Sequence, residues 1–167
     1  EEGLSGVVFA SAKKVFFAGA DLIELVLIDA SDGEALYANG ELIKGHFRRL
    51  EKLPVPVVAA INGAALGGGY ELSLACNHRI AYNHKSVQIG LPECAIGVYP
   101  AGGGVVRLTK LIGVEKSLDI ILKSQRLTPE KALAGGLIDQ LVDSIDDLIP
   151  SAKAWILENQ DHCDQPW

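Results

Sequence analysis

Two glutamates in the sequence stand where a carboxylate could take part in acid–base chemistry. Glu71 follows three glycines at residues 67–69 and falls in the first turn of a predicted helix. Glu93 follows Pro92 within an apolar stretch. A carboxylate in apolar surroundings is costly to ionise, so its pKa rises and it can hold a proton near neutral pH. Such a group can act as a general acid while a second carboxylate acts as the base, so the pair indicates an acid–base site.

Glycine is over-represented, with 18 residues in a chain of 167. The excess is concentrated at Gly19 and at residues 67–69 and 102–104. Glycine lets a backbone approach a ligand closely, and a helix N-terminus offers free N–H groups to an oxygen that gains negative charge. The same residues also fit tight packing of a strand on a helix, with both glutamates facing water. The residues alone leave the two interpretations open.

Composition excludes several classes of protein. The net charge is −6, from 15 basic and 21 acidic residues without a basic block, which argues against nucleic-acid binding. The phosphate-binding loop, the dinucleotide fingerprint, the zinc-protease motif and the serine-hydrolase elbow are all absent from the sequence. The four histidines lack metal-ligand spacing, and three cysteines without C-x-x-C spacing favour a reducing compartment. We therefore expect no metal, no membrane span and a cytoplasmic location, or a mitochondrial or peroxisomal one in a eukaryote.

The elements that must position these residues are short apolar strands alternating with helices. Strands are predicted at residues 6–10, 57–61, 78–82 and 86–89. Helices are predicted at residues 31–53, 70–76, 105–111, 117–123 and 148–157. A further helix should start at Thr128, with its hydroxyl as the cap, and end at residues 135–136. Strands that are apolar on both sides predict an α/β fold with largely parallel neighbours.

The first long helix is predicted to be amphipathic. Its apolar positions recur at helical spacing and should face the core, at Leu36, Ile43, Phe47 and Leu50. Its charged positions should face water, at Lys44, Arg48, Arg49 and Glu51.

Several segments in combination resemble the enoyl-CoA hydratase/isomerase (crotonase) superfamily. They are FAGADL at 17–22, AAINGAALGGGYEL at 59–72, GLPE at 90–93, PAGGG at 100–104 with RL at 107–108, and TPEKALAGGLID at 128–139. The resemblance implies the ClpP/crotonase fold of repeated β-β-α units, here incomplete at both ends. It implies a central hydratase/isomerase domain at residues 1–157 and a polar tail or linker at 158–167.

Within that superfamily, NHRIA at 77–81 and IGLPE at 89–93 look like the hydratase domain of the multifunctional fatty-acid β-oxidation α subunit. In such subunits a 3-hydroxyacyl-CoA dehydrogenase domain follows the hydratase domain.

The resemblance also implies roles for single residues. The backbone N–H groups of Ala20 and Gly68 would form an oxyanion hole for a thioester carbonyl. Glu71 would be the base and Glu93 the acid, with one water held between them. Contacts to substrate and coenzyme A are expected at Ala18, Gly19, Asp21, Leu22, Gly67, Pro92, Pro100 and Ala101. No separate cofactor is implied, because coenzyme A is part of the substrate.

Two positions depart from the family's pattern. Ala101 stands where glycine is common, and it can keep the role of a backbone donor only if its φ is negative. Tyr70 stands where a small residue is frequent, and we expect it to trim the acyl pocket.

The implied activity is hydration of trans-2-enoyl-CoA to 3-hydroxyacyl-CoA in fatty-acid β-oxidation. Three alternatives are kept: a Δ3–Δ2 enoyl-CoA isomerase, the hydratase part of a bifunctional hydratase/dehydrogenase, and a truncated acyl-CoA-binding or assembly fragment without catalysis. The expected partners are an acyl-CoA thioester and either further copies of the chain, as a trimer or hexamer, or a β-oxidation complex.

Overall fold

A four-stranded parallel sheet forms the centre of the molecule. The computed structural model describes residues 3–19, 22–161 and 163–167. The strands are β1 (Val7–Ala10), β2 (Val57–Ile61), β4 (His78–Tyr82) and β6 (Gln140–Val142), in the order β1-β2-β4-β6. A second, two-stranded parallel sheet pairs β3 (Ala65–Leu66) with β5 (Ile89–Gly90). The predicted α/β arrangement with parallel neighbours is thus confirmed.

Seven α-helices connect and cover the strands in the described part of the chain. They are α1 (Leu22–Val26), α2 (Gly33–Glu51), α3 (Gly68–Leu74), α4 (Gly104–Ile112), α5 (Val114–Leu122), α6 (Pro129–Ala134) and α7 (Leu148–Glu158). Three short 3-10 helices are Ala30–Asp32, Pro92–Ile96 and Ile145–Asp147. None of the described helices combines the length and the apolar character that a membrane crossing needs.

The core lies on both faces of the main sheet, because successive side chains of a strand point to opposite faces. Every residue of β2 is fully buried. Its Val57, Ala59 and Ile61 pack on the side of α3, whereas Val58 and Ala60 pack on the side of α7. This double coverage explains why β2 is a continuous apolar run.

The predicted elements correspond to elements of the structure, with differences at some of their ends, whereas α1, β3 and β6 were not predicted. Thr128 occupies the cap position of α6, but its hydroxyl makes no capping hydrogen bond, and Pro129 starts the helix instead. The strand predicted at 86–89 is reduced to β5, because residues 85–86 form a turn. The helix predicted at 31–53 begins with a 3-10 turn, and α2 ends at Glu51 before the proline segment.

The amphipathic pattern of α2 predicts its buried face only in part. Phe47 is buried and Leu50 partly buried, but Leu36 and Ile43 are exposed. Glu51, expected in water, is 7% exposed. Only the last turns of α2 pack against the described core. The apolar side chains in the first half of the helix therefore have no described element to pack against.

The end of the chain returns to the sheet. The side-chain amide of Asn77 accepts from the N–H of Val57 and donates to the carbonyls of Cys163 and Asp164. Helix α7 ends at Glu158. The boundary at residues 157 and 158 stays a prediction.

A buried arginine joins β4 to the loop before β6. Arg79 is fully buried, and its Nη2 lies 2.6 Å from Oδ2 of Asp139 in an ion pair that is not aligned as a hydrogen bond. The backbone N–H of Arg79 donates to the same carboxylate oxygen over 2.8 Å. Asp139 therefore balances a charge that has no access to water.

Asp139→Asn should lower the free energy of unfolding by about 3 kcal/mol, because it leaves the buried Arg79 charge without a partner. Asp119→Asn is the matched control, since it removes the charge of an exposed ion pair with Lys123, and its stability should stay close to that of the wild type. Urea unfolding measures both. Equal losses in the two variants would contradict the role given to Asp139.

Candidate active site

The Glu71 carboxylate lies inside the protein, against the glycine turn at residues 102–104. Glu71 is 4% exposed, so the interpretation of a surface carboxylate is wrong. The N–H of Gly104, at the start of α4, donates to Oε1 of Glu71 over 2.8 Å. A Cβ on Gly102 would lie 2.5 Å from Oε2, and one on Gly104 would lie 2.9 Å from Oε1. The turn is glycine because its backbone closes on the carboxylate itself.

Opposing effects act on the pKa of Glu71. Burial raises the pKa above its ordinary value of 4.5. The N–H groups of Gly104 and Gly102 and the charge of Arg107 act in the opposite direction, since they stabilise the ionised form. Glu71 is therefore a desolvated carboxylate that is provided with donors for its charged state.

Glu93 has a different environment. It lies in the 3-10 helix Pro92–Ile96 and is half-buried. Its Oε2 is buried and has no hydrogen-bond partner among the described residues. Desolvation raises the pKa of Glu93 from 4.5 to about 7, and the negative charge of Glu71 acts in the same direction. The sequence-based expectation of a raised pKa at Glu93 is confirmed in direction.

Gly67 connects the two glutamates. It precedes α3, which carries Glu71, with a φ of 56° that favours glycine. Its N–H donates to the carbonyl of Gly90, which ties it to the strand before Glu93. A Cβ on Gly67 would lie 3.0 Å from Oε1 of Glu93. A side chain at this position would press on the Glu93 carboxylate.

The N–H of Gly68 stands beside Gly19. Gly68 is the first residue of α3, and no acceptor for its N–H is found among the described residues. Gly19 has a φ of 89°, and a Cβ there would lie 3.4 Å from the Gly68 nitrogen. Two backbone hydrogen bonds hold the preceding segment on β3, because Phe17 exchanges them with Ala64 and Leu66. The arrangement leaves a backbone donor bare next to the two carboxylates.

The other residues predicted to contact the substrate stay predictions, and the structure gives the place of each in the fold. Ala18 is exposed next to Gly19, Pro92 starts the 3-10 helix of Glu93, and Pro100 is buried ahead of the glycine turn. Leu22 begins α1. Ala20 and Asp21 lie outside the described residues, so the second oxyanion donor stays a prediction. No group of acidic, histidine or cysteine side chains suited to a metal ion occurs in the described ranges.

The two departures from the family's pattern have clear outcomes. Ala101 is not among the described residues with positive φ, so alanine is tolerated there without strain. Tyr70 does not trim a pocket. It is fully buried in the core, and its hydroxyl donates to the carbonyl of Leu137 over 2.8 Å.

One buried ion pair beside the site was not predicted from the sequence. Arg107 and Glu51 are both buried, and Nε of Arg107 donates to Oε1 of Glu51 over 2.5 Å. The spacing of four from Phe47 to Glu51 was a usable signal, since it puts both residues on one face of α2. Arg107 also stands in an otherwise apolar stretch of α4.

A parallel sheet with helices on both faces, and a buried and a half-buried glutamate beside a bare helix N-terminus, define a crotonase-type α/β protein. The enoyl-CoA hydratase/isomerase family matches residues 1–162, and the chain belongs to that family. The fatty acid oxidation complex subunit alpha of Shewanella halifaxensis is 44% identical over 144 residues, which cover 85% of this chain and 20% of that protein. The subunit of the same name from Idiomarina loihiensis is 43% identical over 147 residues, which again cover 85% of this chain and 20% of that protein.

Solved structures confirm the predicted fold. The enoyl-CoA hydratase of Bacillus anthracis is 36% identical, with a TM-score of 0.85 over 95% of this chain and 59% of that chain. DspI of Pseudomonas aeruginosa is 33% identical, with a TM-score of 0.84 over 95% of this chain and 58% of that chain. The chain thus spans one fifth of the length of the curated relatives and under two thirds of these structures.

Stability should depend on pH through Glu93. Its pKa is raised in the folded protein, so the protonated form favours folding, and this contribution is lost as the pH rises from about 4.5 through about 7. Glu93→Gln keeps the neutral form at every pH. The variant should therefore gain stability relative to the wild type between pH 5 and pH 8, as measured by urea unfolding at each pH. Glu115→Gln, at an exposed glutamate, should show no such trend, and a flat difference for Glu93→Gln would refute the assignment.

Proposed function

We propose that the protein is an enoyl-CoA hydratase, which adds water across the 2,3 double bond of a trans-2-enoyl-CoA to give a 3-hydroxyacyl-CoA. The observation that carries the proposal is the pair of unlike carboxylates. Glu71 is provided with donors for its ionised form, whereas Glu93 is desolvated, with a pKa of about 7 and a buried oxygen without a partner. One group is suited to accept a proton and the other to give one.

The proposed reaction uses one water between the two carboxylates. Glu71 takes a proton from the water as its oxygen bonds to C3 of the substrate, and Glu93 gives its proton to C2. The thioester oxygen gains negative charge between these events. The N–H of Gly68, together with that of Ala20, would stabilise it, each by about 3 kcal/mol. Proton exchange with solvent then restores the ionised Glu71 and the protonated Glu93.

The wider context rests on the relatives. Because the Shewanella and Idiomarina relatives are named as the alpha subunit of a fatty acid oxidation complex, we place the proposed reaction in fatty-acid β-oxidation and expect such a complex as partner. A 3-hydroxyacyl-CoA dehydrogenase activity would consume the product. Coenzyme A enters as part of the substrate, so the proposed reaction uses no further cofactor. A cytoplasmic location and a trimeric or hexameric assembly stay predictions.

An enoyl-CoA isomerase is the second candidate, because the family's description includes both reactions. Moving a double bond from C3 to C2 transfers one proton between two carbons of the acyl chain, and one carboxylate is enough for it. A hydratase needs both glutamates. Comparing the two substrates in the two single glutamine variants therefore separates the reactions.

Glu71→Gln and Glu93→Gln in the full-length protein should each lower kcat for hydration of crotonyl-CoA by about 100-fold or more, because each removes one partner of the proton transfers. Acyl-CoA affinity should stay close to that of the wild type, since neither substitution changes the shape of the site. Absorbance of the conjugated thioester measures turnover, and calorimetry with a saturated acyl-CoA measures affinity.

Glu130→Gln, at an exposed glutamate in the first turn of α6, is the control and should keep full turnover. Wild-type protein that binds acyl-CoA without hydrating it would favour the non-catalytic alternative. Unchanged turnover in both active-site variants would exclude the proposed mechanism.

A further inference from the structure

Arg107 is buried between the glycine turn and helix α2. Its side chain is 9% exposed, and that of its partner Glu51 is 1% exposed. Nε donates to Oε1 of Glu51 over 2.5 Å, and Nη1 donates to the carbonyl of Gly102 over 2.9 Å. The guanidinium carbon lies 5.8 Å from the centre of the Phe47 ring. Two residues of α2, Glu51 and Phe47, therefore contact the guanidinium, which also donates to the glycine turn.

The glycine turn at residues 102–104 lies between Arg107 and Glu71 and contacts both. The carbonyl of Gly102 accepts from Arg107, and the N–H of Gly102 acts to lower the pKa of the Glu71 carboxyl. Gly103 has a φ of 104°, and a Cβ there would overlap Nη1 of Arg107. The N–H of Gly104 completes the contact to Glu71 over 2.8 Å. The turn is thus enclosed between a carboxylate and a guanidinium, with no room for a side chain.

The charged groups around Glu71 are few in the described part of the chain. Arg107 approaches from α4, and Glu93 approaches from the 3-10 helix after β5. Arg48 of α2 donates to the far oxygen of Glu51 and is largely exposed. Arg79 of β4, behind α3, is paired with Asp139. Arg107 is the cation that acts on Glu71.

We propose that Arg107 and Glu51 are positioning residues of the active site: their buried ion pair locks helix α4 to helix α2 and so holds the turn at residues 102–104 against the Glu71 carboxylate. Neither residue touches the reacting atoms. The inference rests on the proposed hydratase function, in which Glu71 is the base. It adds that the base is held in place from α2, a helix that otherwise contributes no proposed catalytic group.

The test is the pH profile of kcat/KM for hydration of crotonyl-CoA by the full-length protein, because its acidic limb reports ionisation of the base in the free enzyme. Arg107→Met removes the cation facing Glu71, so the limb should move to higher pH by about half a unit or more. Glu51→Gln leaves the buried cation without its counter-charge, so the limb should move to lower pH. A purely structural role predicts loss of stability in both variants without opposite shifts.

Arg107→Lys separates charge from geometry. Lysine keeps the positive charge but cannot donate to Glu51 and Gly102 from one planar group. The acidic limb should stay near that of the wild type, while kcat falls by about tenfold because the turn is held less firmly. An unchanged kcat in this variant would count against the positioning role.

Two further variants keep the test decisive. Asp139→Asn breaks the other buried arginine–carboxylate pair, so it should lower stability but leave the pH profile unchanged. If the single charge-removing variants fail to fold, the double variant Arg107→Met with Glu51→Gln removes both charges together, which buried pairs often tolerate. It should show a lower kcat and an acidic limb moved to higher pH.

The outcomes distinguish this inference from the proposed function. Absence of hydration in the wild type refutes the function itself. An active wild type whose limb moves in neither single variant, or moves the same way in both, refutes the positioning role alone. A double variant that matches the wild type in kcat and in its acidic limb does the same.

Discussion

Burial of the Glu71 carboxylate is the constraint on which the rest of the site depends. A desolvated carboxylate ionises only if hydrogen-bond donors and positive charge replace the lost water. The backbone of residues 102–104 supplies the donors, and Arg107 supplies the charge. A side chain at Gly102 or Gly104 would occupy the space of the carboxylate. The glycine-rich turn, the start of α4 and the buried ion pair with Glu51 are all consequences of this one requirement.

Glu93 shows the opposite solution to the same problem. It receives no compensating donor from another described residue, so its pKa rises to about 7. Two carboxylates of one chemical type thereby acquire different proton affinities from their surroundings alone. The difference has a cost in stability, since a group without a partner is desolvated in the folded state. Such conflicts between stability and local chemistry are expected at functional sites.

The glycines of the chain serve two distinct purposes, and the sequence left open which residue serves which. Gly68 leaves a backbone donor bare, as expected from a helix N-terminus. Gly69 instead meets structural needs, because a Cβ there would overlap the carbonyl of Phe17. Gly102 and Gly104 approach the Glu71 carboxylate, and Gly103 approaches the Arg107 guanidinium. Close approach was predictable from residue type, but the group approached was not.

Local pattern was enough for most elements of the fold. Continuous apolar runs predicted β1 and β2, and proline or glycine signals predicted the ends of α2 and α6, because these preferences act within a few residues. Strand β6 was missed, since it has only three residues, of which Val142 is buried and the other two partly buried, and these carry little pattern. The exposed Leu36 and the buried Glu51 were also assigned to the wrong faces. Helical spacing gives the faces of a helix but not the extent to which a neighbouring element covers each turn.

The kinds of residue that carry the chemistry, their order along the chain and the family they resemble can all be read from the sequence, because motifs are local. The protonation state of those residues cannot be read from the sequence. The proton affinities of Glu71 and Glu93 depend on which groups surround them, and those groups come from α2, α4 and β5, up to 56 residues away in the chain for the contact between Arg107 and Glu51. Desolvation and charge pairing act through space, so they take their values only when the chain has folded.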